Sequence, residues 1–255
     1  MGGGSIMPRF FVDKDAVLAD RIVIGGEDAK HISLSLRARV GEKITACDGE
    51  GKDYDCEIAA ITKNEVELKI LSQNDCMAEP DVGVTLYQAL VKSDKFDFIV
   101  QKCTELGVSK IVPVLTDRCI SRPDDASLSK KIARWNKIAK EAAMQSGRGR
   151  IPEVSDAVSF DEALENLKAA DCGFLCYENT PHDPIDEIYN GCMEKGKPKN
   201  VAFLVGPEGG ISDAEAEKTR NANVCLASLG PRILRTETAP LCVVSLIMLM
   251  SGNMK

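Results

Sequence analysis

The stretch Leu204-Val-Gly-Pro-Glu-Gly-Gly-Ile-Ser212 leads from a short apolar strand into a glycine-rich loop. Glycine has no Cβ atom, so the backbone of this loop can approach a ligand closely or adopt a positive φ. Ligands of open α/β sheets bind beyond the carboxyl ends of strands, which is where this loop lies. A tight strand-to-helix turn without a ligand would use the same residues. Neither the P-loop nor the dinucleotide-binding glycine motif is present.

A second loop follows the next apolar strand and reads Ser228-Leu-Gly-Pro-Arg-Ile-Leu-Arg-Thr-Glu-Thr-Ala-Pro240. It places two arginines, two threonines and a glutamate between a buried strand and a buried helix, where polar groups need partners. Thr238 is expected to be the N-cap of the last helix, and Glu237 suits the positive end of its dipole. Capping explains only part of this polar cluster, and the rest favours a ligand.

From Val84 onward, strand patterns alternate with helix patterns, which predicts a mostly parallel sheet covered by helices. Two capping boxes are expected, Ser159 with Glu162 and Ser212 with Glu215. The apolar stretch Leu241 to Met250 is too short to cross a bilayer and is interpreted as a buried helix. We therefore predict an α/β domain over residues 82–255.

The N-terminal part of the chain has a different sequence pattern, with short β segments separated by turn residues such as Gly25-Gly26. These closely spaced strands, about five in all, predict a small β-barrel over residues 7–75. The polar stretch Gln73 to Gly83 is interpreted as a linker.

The composition favours a cytoplasmic protein without a metal site. The ten cysteines have no C-x-x-C spacing, and only two histidines accompany them, so no structural metal is expected. Unpaired thiols fit a reducing compartment, and no signal-peptide pattern is evident at the front.

The net charge of −7 argues mildly against nucleic acid. Residues 116–152 nevertheless carry nine Lys or Arg against four Asp or Glu. A local basic patch attracts phosphates even on an acidic protein, although a solvated helix face explains the same charges.

Together, VGPEGGIS and LGPRILRTETA resemble the signature of the RsmE family of ribosomal RNA methyltransferases. The resemblance continues in Met7-Pro-Arg-Phe-Phe-Val12, in Lys92-Ser-Asp-Lys95 and in Gln101-Lys-Cys-Thr-Glu-Leu-Gly107. It implies a SPOUT-type trefoil-knotted α/β domain behind a PUA-like RNA-binding β-barrel. It also implies methylation of N3 of a uridine in small-subunit (16S) ribosomal RNA by a homodimer that uses S-adenosyl-L-methionine.

Carried over residue by residue, the resemblance implies that S-adenosyl-L-methionine bends around both loops. The cofactor-binding residues would be Leu204, Gly206, Glu208, Gly209 and Gly210 of the first loop, and Leu229, Gly230, Leu234, Arg235, Thr236, Thr238 and Ala239 of the second. Uridine N3 must lose a proton before its lone pair attacks, which requires a base or a cation nearby. Glu208 is the expected base and Arg235 the expected cation, with Arg232 as an alternative.

RNA contacts are expected from basic residues of the segments that resemble the family. These are Arg9, Arg37 and Arg39 at the front, and Lys92, Lys102, Arg118 and Arg148 further along. A single surface arginine is usually only solvated, so the hypothesis concerns the set.

Two other functions stay open on the sequence alone. A SPOUT methyltransferase of this type could modify another ribosomal RNA nucleotide or a transfer RNA. A non-catalytic RNA-binding or ribosome-assembly protein could keep the fold, although it would not need a cofactor cleft. A nucleotide-dependent dehydrogenase or kinase is excluded because its phosphate-binding motifs are missing.

Overall fold

The computed structural model describes residues 7–179 and 182–254, with Ser93 given by its backbone only. The chain divides into two compact units. The first extends to Glu79 and includes Ala143–Ile151, and the second comprises Pro80–Ala142 and the residues from Pro152 onward. The domain bounds 7–75 and 82–255 stay a prediction, and the units differ from them chiefly at Ala143–Ile151.

A five-stranded sheet forms the first unit, which confirms the expected number of strands, although β4 and β5 are longer than expected. Its elements are β1 (Arg9–Phe11), β2 (Arg21–Gly25), α1 (Gly26–Lys30), β3 (Lys43–Cys47), β4 (Lys52–Ile61) and β5 (Glu65–Asp75), with strand order β1-β3-β4-β5-β2. β1 pairs with β3 in parallel, and the other pairs are antiparallel. Alternate apolar residues such as Ile22 and Leu68 point into one core because successive strand residues face opposite sides.

The predicted linker was wrong at its start, because β5 continues to Asp75. Gln73 and Asn74 pair with Tyr54 and Asp53 of β4. Their polar side chains indicated exposure correctly, but exposure does not end a strand whose backbone is still paired.

An eight-stranded sheet forms the second unit, and its pairings among the described residues are all parallel, which confirms the predicted α/β class. Its elements are β6 (Gly83–Ala89), α2 (Ser93–Glu105), β7 (Lys110–Leu115), α3 (Asp125–Ser146), β8 (Glu153–Val154), β9 (Val158–Ser159), α4 (Phe160–Ala169), β10 (Cys172–Cys176), β11 (Asp183–Pro184), α5 (Ile185–Met193), β12 (Asn200–Val205), α6 (Asp213–Asn221), β13 (Cys225–Ser228) and α7 (Ala239–Met250). The strand order is β11-β13-β10-β12-β6-β7-β8, with β9 paired to β7. The trefoil knot stays a prediction.

The strand order determines where the functional loops meet. β12 and β13, which the two loops follow, lie on either side of β10 and run parallel to it. The carboxyl ends of all three strands therefore meet at one edge of the sheet. Residues that follow β10 join the two loops there.

The helix ends agree with the sequence in most respects. Both predicted capping boxes are present, at Ser159 with Glu162 and at Ser212 with Glu215. Thr238 is the N-cap of α7 as expected, but its side chain makes no capping hydrogen bond. Among residues 7–179 and 182–254, no helix combines the length and the apolar character that a membrane span requires.

Glu79 is the centre of a partly buried polar cluster within the first unit. Its carboxylate accepts from the Arg148 guanidinium at 3.0 and 3.1 Å and from the backbone N–H groups of Gly149 and Arg150 at 2.9 and 3.0 Å. The Arg148 side chain is only 3% exposed, so its charge depends on partners inside the protein.

We expect Glu79→Ala to lower the free energy of unfolding by about 3 kcal/mol, because it removes the carboxylate partner of a buried guanidinium. Glu67→Ala is the matched control, since Glu67 pairs with Arg21 where both side chains are solvated. That exposed pair contributes less than about 1 kcal/mol. Urea titration of both variants measures the difference, and equal losses would contradict the role assigned to Glu79.

Candidate functional site

The two loops enclose one cavity of about 540 Å³ at the carboxyl edge of the second sheet. A buried hydroxyl links them directly: Thr236 Oγ1 donates to the Gly206 carbonyl oxygen at 2.7 Å. The Gln88 side-chain amide, at the end of β6, donates in turn to Thr236 Oγ1 at 3.2 Å. The loops are therefore joined by a polar contact that water does not reach.

Most of the residues expected to bind the cofactor line this cavity. They are Gly206, Glu208, Gly210, Leu229, Gly230, Leu234, Arg235, Thr236 and Ala239. Leu204 does not line it, because its side chain is fully buried in the sheet core. Gly209 and Thr238 lie outside the lining as well. The sequence thus predicted the wall of the cavity, while the exact positions depend on which way each residue faces.

Gly210 shows why the first loop needs glycine. Its φ is +70°, and a Cβ atom at this position would lie 2.3 Å from Glu178 Oε1. A Cβ atom at Gly206 would lie 3.1 Å from the Ile211 side chain. Glycine therefore allows both the turn and the close approach of the Glu178 carboxylate.

Gly209 faces a different neighbour. The guanidinium of Arg118 donates to the Gly209 carbonyl oxygen at 3.0 Å, and the Arg118 side chain covers this part of the loop. Arg118, which was predicted to contact RNA, is thus an exposed residue beside the cavity wall.

Lys95 of α2 connects the two loops through charge. Its Nζ atom lies 3.3 Å from Glu208 Oε1 in the first loop and 3.2 Å from Glu237 Oε2 in the second. Burial by itself lowers the pKa of the Lys95 ammonium, but the two carboxylates outweigh burial and the pKa is raised. Lys95 is therefore protonated at neutral pH.

Glu208, the expected base, is held in its ionised form. Burial by itself raises the pKa of its carboxyl, but its own backbone N–H and the Lys95 ammonium outweigh burial, and the pKa is lowered. A carboxylate with a lowered pKa is a weaker proton acceptor. Arg235, the expected cation, is exposed and lines the cavity.

Sequence reasoning missed the contribution of β10. Tyr177, Glu178 and His182 line the cavity beside the two loops, and so does Lys95. The apolar segment 172–177 has the sequence pattern of a buried strand, so the rule that sites lie beyond strand ends could have identified Glu178. Lys95 belongs to a segment quoted for the family resemblance, but nothing in its spacing indicated that it faces both loops.

The predicted RNA-binding residues do not share one environment. Arg37, Arg39, Lys92 and Arg118 are exposed. Lys102 pairs with Glu105 at 2.8 Å, within α2.

Two of the residues predicted to bind RNA have partners inside the first unit. Arg9 forms an ion pair with Asp53 and donates to the Arg148 carbonyl oxygen at 2.9 Å. Arg148 is buried against Glu79. Both are structural residues of the first unit, because their guanidinium groups are used within it, and composition cannot reveal such pairing.

The described residues contain no cluster of three or more His, Cys, Asp or Glu side chains arranged to hold a metal ion. The ten cysteines are unpaired, and most of them are buried. Burial raises the pKa of the Cys103 and Cys176 thiols, as expected for thiols packed like apolar side chains.

Comparison with known proteins identifies the two parts of the chain separately. The model of an RNA methyltransferase domain matches residues 78–248, and the model of an RNA methyltransferase PUA domain matches residues 24–71. The ribosomal RNA small subunit methyltransferase E of Bacillus subtilis is 34% identical over 94% of this chain and 96% of its own length.

Solved structures agree with the sequence comparison. A ribosomal RNA small subunit methyltransferase E from Neisseria gonorrhoeae, bound to S-adenosyl methionine, is 31% identical, with a TM-score of 0.85 over 96% of this chain and 98% of its own. A putative methyltransferase from Legionella pneumophila, in complex with the same cofactor, is 28% identical, with a TM-score of 0.84 over 96% and 98%. The chain belongs to the RNA methyltransferase family, and within it to the ribosomal RNA small subunit methyltransferase E type, with a PUA domain before the methyltransferase domain.

Proposed function

We propose that this chain transfers a methyl group from S-adenosyl-L-methionine to N3 of a uridine in small-subunit ribosomal RNA. The proposal rests on the cavity at the edge of the sheet, which is enclosed by the two loops whose sequences resemble the family signature. A relative of known structure, with 31% identity, carries S-adenosyl methionine. The curated relatives are named as methyltransferases of the small-subunit RNA.

The cavity suits a nucleoside cofactor in size and chemistry. Its volume of about 540 Å³ lies in the range of small-molecule sites. Gly206 and Gly210 expose backbone to the ligand, and Leu229, Leu234 and Ala239 supply apolar wall. We assign cofactor binding to the nine lining residues named above. S-adenosyl-L-methionine supplies an activated methyl group, so the protein must chiefly bind and align the acceptor.

The alternatives have less support. A pure RNA-binding protein would not need the enclosed cavity or the glycines that keep its wall clear. A different ribosomal or transfer RNA target would use the same cavity, but the curated relatives carry the small-subunit name.

Arg235 is proposed to stabilise charge on the reacting base, since it lines the cavity and is exposed to an incoming substrate.

In each unit, the proposed RNA surface includes the exposed members of the predicted set: Arg37 and Arg39 in the first unit, and Lys92 and Arg118 in the second. Guanidinium and ammonium groups that lack a buried partner can neutralise phosphates and release counterions. This leaves Arg9 and Arg148 outside the proposed contacts, because both are used inside the first unit.

Homodimer formation is proposed from the last helix. α7 contains no charged residue, and it packs on α2, yet Leu249 is 60% exposed and Leu241 and Leu246 are half-buried. An apolar helix that its own unit covers incompletely requires a partner surface, and a second copy of this chain would provide one.

We expect the purified protein to label undermethylated small ribosomal subunits with the methyl group of S-adenosyl-L-methionine, giving 3-methyluridine by mass. Gly210→Val should slow this transfer and weaken cofactor binding by at least about tenfold, since valine is strained at a φ of +70° and its Cβ atom would displace the Glu178 carboxylate. Gly191→Val is the control, because Gly191 is exposed and a Cβ atom there meets nothing. Absence of label from the unmodified protein would refute the proposed activity.

We expect Arg39→Glu to weaken binding to small-subunit RNA by roughly tenfold at low salt and to reduce the salt slope by about one. Lys63→Glu, in the exposed β4–β5 turn, makes the same charge change outside the proposed surface. Filter binding over a salt series compares the two. If both variants lose affinity equally, only overall charge matters and the surface assignment is wrong.

We expect Leu249→Lys to convert a dimer into a monomer at micromolar concentration, because a charge would enter an apolar contact. Leu71→Lys changes another exposed leucine, on β5, and should leave the dimer intact. Sedimentation equilibrium measures the association state of the unmodified protein and of both variants. An unmodified protein that sediments as a monomer would remove the dimer proposal.

A further inference from the structure

Lys95 combines three properties in one position of the proposed active site. Lys95 lines the cavity, its ammonium pairs with one carboxylate from each loop, and its side chain is 23% exposed. An ammonium has three N–H donors, and its two ion pairs, with Glu208 Oε1 and Glu237 Oε2, can use at most two of them. One donor is therefore left for a ligand in the cavity.

The chemistry of the acceptor explains why a cation is useful here. Uracil N3 lies between two carbonyl groups, so the negative charge left by its proton spreads to both carbonyl oxygens. A fixed ammonium that donates to one of them stabilises the anion in a partly desolvated site. Glu208 is poorly suited to take the proton, because its carboxylate already pairs with Lys95.

We propose that Lys95 is a catalytic residue whose ammonium donates to a carbonyl oxygen of the target base and stabilises the N3 anion. The inference rests on the proposed function. The N3–H bond breaks and the proton leaves to solvent water. The N3 lone pair then bonds to the methyl carbon while the carbon–sulfur bond breaks, and its electron pair stays on sulfur.

The two carboxylates give this ammonium a fixed position. Glu208 comes from the loop after β12 and Glu237 from the loop after β13, so Lys95 is held from two directions. These are the charged groups that pair with it among the described residues. Arg232 and Arg235 also line the cavity and add positive charge. Because the ammonium is already in position, little free energy of reorganisation is needed when the reaction occurs.

The test compares Lys95→Met, Lys95→Arg and the unmodified protein in single-turnover methyl transfer with saturating cofactor and small subunits. We expect Lys95→Met to react about 100-fold more slowly at pH 7.5. The deficit should shrink as pH rises toward 10, since the base then loses its proton without help. Lys95→Arg should recover part of the rate, because its guanidinium keeps the charge.

Two further measurements separate catalysis from a purely structural role. Binding of S-adenosylhomocysteine to Lys95→Met, measured by calorimetry, should stay within about threefold of the unmodified protein. Lys110→Met removes another ion-paired lysine, which lies outside the cavity lining, and should react normally.

Three results would overturn the inference: a deficit that is constant with pH, a loss of cofactor affinity that accounts for the slower rate, or no rescue by arginine. Each of these results would leave Lys95 with only a structural role, as the ion-pair partner that joins the two loops. Failure of the proposed function is a different result, since the unmodified protein would then leave small subunits unlabelled.

Discussion

The hydroxyl of Thr236 and the carbonyl oxygen of Gly206 form the contact on which the site depends. It is a short hydrogen bond of 2.7 Å between two loops that are 30 residues apart in sequence. It forms because β12, β10 and β13 are neighbours in one parallel sheet and end at the same edge. The loops that follow β12 and β13 can then share partners, as they do again through Lys95. A sheet with another strand order would separate the same residues and leave no cavity.

Local patterns predicted the elements well because each has a local cause. Ser159 with Glu162 and Ser212 with Glu215 satisfy backbone groups within one helical turn, so the capping boxes could be recognised without a structure. The end of β5 was missed because it depends on pairing with Asp53 and Tyr54 of β4, and not on the residues beside it in the chain. The close approach of Glu178 to Gly210 was missed because it depends on the strand order, which places β10 between β12 and β13.

Which charged side chains are free to bind a ligand was the property that the sequence predicted least well. Arg9, Arg148 and Arg39 are the same residue type in family-like segments, yet the first two are used inside the first unit and the third is exposed. A guanidinium that is already paired with a carboxylate within the fold is less available to bind a phosphate. The same holds for Glu208, whose carboxylate was expected to accept a proton but is already neutralised by Lys95. Which charges are available depends on tertiary pairing, which composition does not encode.

Ala143–Ile151 gives the first unit a discontinuous sequence. A fragment that stopped at Glu79 would retain the strands but lack Arg148, Gly149 and Arg150, whose donors surround the Glu79 carboxylate. On the ribosome, this unit can complete its polar core only after residue 151 has left the exit tunnel, when much of the second unit has also been synthesised. The first unit is therefore not a continuous segment that could be cut out at one boundary and fused to another protein.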